Sequence, residues 1–160
     1  MRALAIAVFG LTPLFAGVSG NATLVELVKA NNQQAAIALI DQHVDVNTPT
    51  SDGTTALAWA AHNGNVGLVD RLLGAGADAK AKNQFGATPM SEAAFLGNVA
   101  IIEKLLKAGA DPDSPSADGQ TALMLIARTD NVAAAKMLLE HGAHVDAREK
   151  QKDQTALMWA

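Results

Sequence analysis

Residues 56–82 have the sequence ALAWAAHNGNVGLVDRLLGAGADAKAK, and altered copies of this stretch recur at a fixed interval. Three sets of residues mark the interval, each at a 33-residue spacing: Thr55, Thr88 and Thr121; Gly53, Gly86 and Gly119; Gly76, Gly109 and Gly142. Because three independent markers keep one register, the chain is predicted to be a stacked repeat array. Such an array has an extended surface and no built-in pocket, so the pattern favours binding over catalysis.

The copy at residues 84–116 shows how one repeat is expected to fold. Thr88 predicts a helix start, because its hydroxyl can accept from a free backbone N–H and the proline after it has no N–H to leave unpaired. Gly97 is predicted to end this short helix. A second helix over residues 99–108 carries one apolar stripe, formed by Ile101, Ile102, Leu105 and Leu106. The equivalent stripe of the third repeat is Ala134, Ala135, Leu138 and Leu139.

The repeat frame divides the whole chain into segments. They are a signal peptide at 1–20, a degenerate N-terminal capping repeat at 21–50, full repeats at 51–83, 84–116 and 117–150, and the start of a further repeat at 151–160. In four positions another residue is predicted to take a glycine slot: Asn31, His43, Asp130 and Asp153. Since the last segment stops inside its first helix, we expect the natural protein to continue beyond residue 160.

The first twenty residues have a different character from the repeats. A basic start is followed by an apolar stretch at residues 3–15 and a tail of small residues, an order that predicts a secretory signal peptide cleaved after Gly20 or Ala22. The alternative is a lone membrane anchor, but the apolar stretch is short for a span and is broken by Gly10 and Pro13. We therefore expect an exported protein, either periplasmic or secreted, without stable membrane insertion after cleavage.

Composition excludes several function classes. The absence of cysteine excludes disulfides, thiolate zinc sites and a cysteine nucleophile. A net charge of −4 argues against a nucleic-acid partner. Apolar residues make up 49% of the chain but aromatic residues only 4%, so the core is expected to consist of alanine and aliphatic side chains.

The repeated motifs resemble the ankyrin repeat family. The resemblance rests on Gly53-Thr54-Thr55-Ala56-Leu57, Gly86-Ala87-Thr88-Pro89-Met90 and Gly119-Gln120-Thr121-Ala122-Leu123, and on the Leu138-Leu139 to Gly142-Ala143 ending. It covers residues from about 22 to the end and implies an all-α solenoid of stacked helix–turn–helix units. The family's first-helix histidine is replaced by Ala58, Ser91, Met124 and Met158, which implies looser turns. The TALMWA run at 155–160 is interpreted as a bacterial type.

The resemblance also implies where a partner binds, because ankyrin repeats usually meet partners through their loop tips and the exposed side of their first helices. Among the candidates, Phe85, Phe95 and Leu96 stand out, since apolar residues at open positions suit a binding hot spot. The alternative is that these positions are simply free to vary. Carried over by position, the partner-binding residues are Ser51, Asp52, Thr54, His62, Asn63, Gln84, Phe85, Phe95, Leu96, Asp118, Gln120, Arg128 and Thr129.

No pattern predicts a catalytic, metal or cofactor site. His141 and His144 are three residues apart but flank a helix-ending glycine, where the helical face is lost. One aspartate recurs in each repeat, which favours a structural task in every loop over catalysis: Asp45, Asp78, Asp111 and Asp146.

The sequence thus predicts a non-catalytic protein–protein interaction scaffold that binds a partner protein through its concave groove, as a monomer and without a cofactor. Two alternatives remain at this point. The repeats could be the docking arm of a larger protein whose catalytic domain lies beyond residue 160, or they could be a structural spacer with no partner.

Overall fold

The computed structural model describes residues 23–160, so the predicted signal peptide lies outside the described residues. Over that range the chain forms helices and turns without any β-strand, and the predicted all-α stack of helix pairs is confirmed. The first helices of the pairs are α1 Leu24–Lys29, α3 Ala56–His62, α5 Pro89–Phe95 and α7 Ala122–Ala127. The second helices are α2 Gln33–Asp41, α4 Val66–Gly74, α6 Val99–Lys107 and α8 Val132–Glu140, and a 3₁₀ turn follows at Ala156–Met158.

Two sets of capping residues define where the helices begin. Thr23, Thr55 and Thr88 accept a hydrogen bond from the backbone N–H three residues on, at the starts of α1, α3 and α5. The second helices are capped in the same way by asparagines, which recur once in every repeat: Asn32, Asn65, Asn98 and Asn131. Thr121 departs from this pattern, because its buried hydroxyl has no hydrogen-bond partner in the described part of the chain.

The predicted replacements in the glycine slots are confirmed. Asn31, His43, Asp130 and Asp153 have positive φ angles of 54°, 59°, 50° and 58°, like the glycines at the equivalent turns of the other repeats. A left-handed backbone costs a residue with a side chain about 1–2 kcal/mol, so the first repeat and the turns at Asp130 and Asp153 carry strain that the central repeats avoid.

The first helices approach one another more closely than the second helices do. Small side chains allow this, because the buried positions between first helices include alanines: Ala56, Ala60, Ala61, Ala93, Ala94 and Ala122. The second helices are separated by bulkier side chains such as Leu72, Ile102 and Leu105, all fully buried. The stack therefore curves towards the first helices, whose open side forms the inner, concave face.

The predicted apolar stripe of α6 is wholly buried, whereas that of α8 is buried only in part. Ile101, Ile102, Leu105 and Leu106 all lie in the core, as the sequence predicts. Leu139 was assigned to the equivalent stripe of the third repeat, but its residue surface is 43% exposed and this part of the prediction is wrong. No full helix follows α8 in the described chain to cover that side.

Backbone hydrogen bonds join each loop to the next. The N–H of Gln84 donates to the carbonyl of Asp52 at 3.0 Å, Ala117 to Phe85 at 3.3 Å, and Lys150 to Asp118 at 2.8 Å. These bonds link successive repeats at their tips without the first-helix histidine that the family normally uses.

Gly86 lies where two of these loops touch. A Cβ atom added there would stand 2.3 Å from the backbone nitrogen of Ala117 and 2.7 Å from the carbonyl carbon of Ser116. Its φ of 75° is also in the left-handed region. Gly86 is therefore required for two reasons, the conformation of its own turn and the approach of the next loop.

We predict a graded series of stability effects from three glycine-to-alanine changes. Gly109→Ala should cost about 1–2 kcal/mol, because its φ is 83° but no atom lies within 4 Å of the new Cβ. Gly86→Ala should cost more, because the backbone of Ser116 and Ala117 must also move to make room for the new Cβ. Gly74→Ala, at the end of α4 with open space around it, should stabilise by about 0.5–1 kcal/mol. Urea unfolding measures the free energy of unfolding of all three variants. Equal losses of this free energy for the changes at Gly86 and Gly109 would contradict the contact between the loops.

Candidate functional site

Two rows of side chains run along the inner face. The exposed row stands at the end of each first helix, one member per repeat, and consists of Lys29, His62, Phe95 and Arg128. The half-buried row consists of Trp59, Glu92 and Leu125, each three residues before the exposed residue of its own helix, and of Trp159, which takes the equivalent position in the last segment. Glu26 takes this position before Lys29 but is exposed. Of these residues, only His62, Phe95 and Arg128 were predicted from the sequence. The fixed offset from His62 back to Lys29 was a signal that could have found the fourth member of the exposed row.

The two rows are joined diagonally from one repeat to the next. The Lys29 Nζ lies 5.0 Å from the centre of the Trp59 ring, and the Arg128 guanidinium carbon lies 5.6 Å from the Trp159 ring. Between them, Nδ1 of His62 lies 2.8 Å from a carboxylate oxygen of Glu92. Cation–aromatic contacts of this kind hold a long flexible side chain over a flat ring while leaving its N–H groups open.

The indole N–H groups of the two tryptophans differ in their hydrogen bonding. Nε1 of Trp159 donates to the side-chain oxygen of Gln154 at 3.2 Å, whereas Nε1 of Trp59 is buried without a partner among residues 23–160. Arg128, Gln154 and Trp159 line a notch of about 230 Å³ on the inner face. Neither Lys29 nor Arg128 is part of an ion pair in the described chain.

An exposed apolar pair interrupts the polar row. Phe95 is 63% exposed and the adjacent Leu96 is 47% exposed, at the end of α5. Leu96 lies against the turn of the preceding repeat, since its Cδ1 would stand 3.7 Å from a Cβ at Gly64. Phe85 is 62% exposed but lies in a loop rather than on the helix row. The structure thus brings Phe95 and Leu96 together between the two cation–aromatic pairs.

At the loop tips the structure separates open residues from structural ones. Ser51, Gln84 and Asp118 are exposed. Thr54 was predicted to be open to a partner, but it is buried and its hydroxyl accepts a hydrogen bond from the Asn83 amide at 3.0 Å, so that expectation is wrong.

Four other predicted partner-binding residues are half-buried or make hydrogen bonds within the repeats. The amide of Asn63 donates to the Val28 carbonyl at 2.7 Å, and the hydroxyl of Thr129 donates to the Ile126 carbonyl at 2.8 Å. Gln120 is half-buried. Asp52 is half-buried as well; a hydrogen bond from the Thr50 hydroxyl, with a further one from the Thr54 N–H, holds the pKa of its carboxyl below the usual value.

Glu149 organises the loop between α8 and the 3₁₀ turn. Its role was not predicted from the sequence. Its buried carboxylate accepts from the backbone N–H groups of Gln151, Lys152 and Gln154 at 2.6, 2.7 and 3.2 Å. Burial acts to raise the pKa of Glu149, but the three backbone donors together outweigh it and the pKa lies below its usual value. This loop holds one residue more than its counterparts, and the carboxylate accepts from three of its N–H groups, where the equivalent Asn83 accepts from two.

The repeated aspartates have the structural task predicted for them in three loops. Asp45, Asp78 and Asp111 each accept from the backbone N–H two residues on. His144 pairs with Asp113, and Nδ1 of His141 lies 2.8 Å from the Met137 carbonyl. Within residues 23–160 no three His, Cys, Asp or Glu side chains converge in a way that could hold a metal ion.

The C-terminal end of the stack carries a second apolar surface. Five large hydrophobic residues are exposed there: Val132, Leu139, Val145, Leu157 and Met158. A groove of about 400 Å³ lies between α7, α8 and the 3₁₀ turn, lined by residues such as Ile126, Ala135 and Leu157. The predicted start of a further repeat forms a single 3₁₀ turn at Ala156–Met158.

Comparisons with known proteins agree with this architecture. A family described as "Ankyrin repeats (3 copies)" matches residues 24–116 and 90–160. A human protein (Homo sapiens) named mitochondrial disaggregase is 45% identical over 58 residues, which are 36% of this chain and 8% of that protein. The bovine protein (Bos taurus) of the same name is 45% identical over 60 residues, 38% of this chain and 9% of that protein. The likeness therefore spans less than a tenth of these relatives' length.

These relatives correct one prediction. The expectation of an exported, periplasmic or secreted protein is wrong, because the matching proteins are human and bovine and carry the name mitochondrial, which points away from export. The interpretation of the TALMWA run as bacterial gains no support either. The basic, apolar and small-residue order that led to the export prediction shows hydrophobic character and not a destination. No helix within residues 23–160 is long and apolar enough to cross a membrane.

The lowered pKa of Glu149 predicts a pH-dependent contribution to stability. A carboxyl whose pKa is lower in the folded state stabilises above its unfolded pKa, near 4.5, and loses this effect as the pH falls through the folded value. Glu149→Gln should therefore lower the melting temperature at pH 7, and the difference from wild type should shrink at pH 3.

The matched control for this prediction is Glu140→Gln, at the exposed end of α8. It replaces a carboxylate that accepts no backbone hydrogen bond and should change the melting temperature little at either pH. A difference for Glu149→Gln that stays constant between pH 7 and pH 3 would show that the charge of this carboxylate does not stabilise the loop.

Proposed function

Because the chain belongs to the ankyrin repeat family, we propose that these repeats are a non-catalytic scaffold that binds another protein through the concave face. The observation that carries the proposal is the exposed pair Phe95 and Leu96, placed on the inner face between two cation–aromatic pairs. Large apolar and aromatic side chains at the centre of an interface commonly dominate binding energy. The inner face offers such a centre with polar groups on both sides.

The rigidity of the surroundings supports the same proposal. The helix ends that present the exposed row are fixed by the alanine contacts beneath them, by the asparagine caps of the following helices and by Asn63 bonded to the preceding repeat. A surface that is already ordered loses little conformational entropy when a partner binds. Binding through this face therefore needs no folding step.

A second reading keeps the same surface but places it in a larger protein. The likeness to a short segment of the two proteins named mitochondrial disaggregase is compatible with a docking arm attached to a catalytic domain. In this reading the repeats themselves still bind and do not catalyse. The two readings differ in what is attached to the repeats and share the inner face as the binding site.

We propose that the repeats extend over residues 21–50, 51–83, 84–116 and 117–150, with a further repeat beginning at 151. The helix pairs and the recurrent caps support these boundaries.

The double change Phe95→Ala with Leu96→Ala tests the proposed binding face. Proteins retained by the wild-type chain would be identified, and the affinity of the strongest binder measured by interferometry. We expect the double variant to weaken this affinity at least tenfold, since truncating a central apolar anchor commonly costs ~2 kcal/mol or more. The melting temperature should change little, because both side chains are already largely exposed.

Leu139→Ala is the matched control. Leu139 is also an exposed aliphatic residue, 43% open, but it lies on the second helix α8, away from the inner face. Its change should leave the affinity intact. Equal loss of affinity in both variants would place the binding face elsewhere, and a large drop in stability with unchanged affinity would assign Phe95 and Leu96 to the core.

A further inference from the structure

We propose that the inner face selects an acidic peptide segment of its partner, with carboxylates at two positions and apolar side chains between them. The inference rests on the proposed function and specifies the chemistry of the partner. It is carried by the charge pattern of the exposed row, in which Lys29 and Arg128 stand at the two ends and Phe95 lies between them.

The charge of the exposed row is opposite to that of the whole chain. The protein has a net charge of −4, yet the exposed row contains two cations and no carboxylate. Two carboxylates lie close to the row: Glu26, which keeps its charge and accepts from the Thr23 N–H at 2.9 Å, and Glu92, which pairs with His62. Asp130, in the turn that follows α7, lines the groove at the C-terminal end of the stack. Lys29 and Arg128 are therefore the charged members of the exposed row, and neither is neutralised by an ion pair within residues 23–160.

Both cations are held in position and remain open to a ligand. Each lies over the ring of a tryptophan in the next repeat, Lys29 over Trp59 and Arg128 over Trp159. Neither makes an ion pair within residues 23–160. Arg128 also lines the notch of about 230 Å³ beside Gln154. A planar guanidinium at the wall of a notch can donate two parallel hydrogen bonds to a carboxylate.

The repeat geometry sets the spacing of the partner's groups. Lys29 and Arg128 are three repeats apart, and packed helices stand about 8–10 Å apart, so the cations are separated by roughly 24–30 Å. An extended chain advances about 3.3 Å per residue, so the two carboxylates should be about seven to nine residues apart. Phe95 lies two repeats after Lys29 and one repeat before Arg128. The apolar residues of the segment should therefore lie nearer the carboxylate that meets Arg128.

The same pattern disfavours a nucleic acid. A polyanion has a charge at every step of its backbone and is matched by a continuous basic stripe. Here the two positions between the cations are occupied by His62, already paired with Glu92, and by Phe95. Two separated cations with an aromatic side chain between them fit a segment whose charges are also separated.

Selection from a library of random 12-residue peptides displayed on phage, with the full chain immobilised, tests the proposal. Peptides retained by the wild type should be enriched in Asp and Glu at two positions about seven to nine residues apart, with apolar residues between these positions. Lys29→Glu with Arg128→Glu should remove this enrichment and favour Lys and Arg instead. A synthetic peptide of the selected wild-type sequence should bind the double variant at least tenfold more weakly, and added salt should weaken its binding to the wild type.

Lys80→Glu with Lys136→Glu is the matched control, because it makes the same change in net charge at exposed positions outside the exposed row. It should leave both the enrichment and the affinity unchanged. Circular dichroism melts of every variant establish that the fold is kept.

Several outcomes would overturn the proposal. They are the absence of acidic enrichment, enrichment that survives the inner-face reversal, and competition by single-stranded RNA as strong as that by the selected peptide. Self-association of the chain that the reversal abolishes would make a second copy the occupant. If selected peptides depend on Phe95 and Leu96 but carry no acids, the proposed function stands and this inference fails. If no selected peptide depends on any inner-face residue, both fail.

Discussion

The close approach of the first helices is the contact on which the rest of the structure depends. Alanines such as Ala60, Ala61 and Ala93 are fully buried between these helices, and their small side chains let the backbones come together. The second helices pack through leucine and isoleucine and stay further apart. A difference in side-chain size between two rows of core residues is thereby converted into curvature, and curvature decides which surface faces inward.

The same contact aligns the residues that give the inner face its character. Because each first helix repeats the position of the one before it, a residue at the helix end meets one placed three residues earlier in the next repeat. The pairs Lys29 with Trp59, His62 with Glu92, and Arg128 with Trp159 follow from that single offset. Phe95 stands at the equivalent position of the third helix pair and remains exposed. The scaffold repeats, while the chemistry at its open positions changes from repeat to repeat.

The periodic features of the fold could be predicted from the sequence, because each rests on local backbone geometry. The glycine slots, including their replacement by Asn31 and Asp130, follow from the left-handed turns that every repeat requires. Contacts between repeats were harder to predict. Thr54 was taken as open because its loop is open, yet Asn83 of the next repeat reaches across to it. The asparagine caps were missed although one recurs in every repeat, because the glycines that precede Asn65 and Asn98 are the stronger markers of a turn.

The candidate site was predicted in part for the same reason. Phe95 and Leu96 could be found, because apolar residues at a position that is polar in other repeats are visible in the sequence. Trp59 and Trp159 stand where the repeats between them have Glu92 and Leu125, but their role depends on cations that belong to the preceding repeat. The task of Glu149 depends on one additional residue in its loop, which changes how many backbone N–H groups need an acceptor.

Spin-label distances test the central claim most directly, since the chain has no cysteine and labels can be placed freely. One pair, Lys29→Cys with Arg128→Cys, lies on the first helices; the other, Asp41→Cys with Glu140→Cys, lies at the ends of second helices the same number of residues apart. If close packing of the first helices curves the stack, the distance across the first pair is clearly shorter than that across the second. Equal distances, or a longer first pair, would contradict the assignment of the inner face.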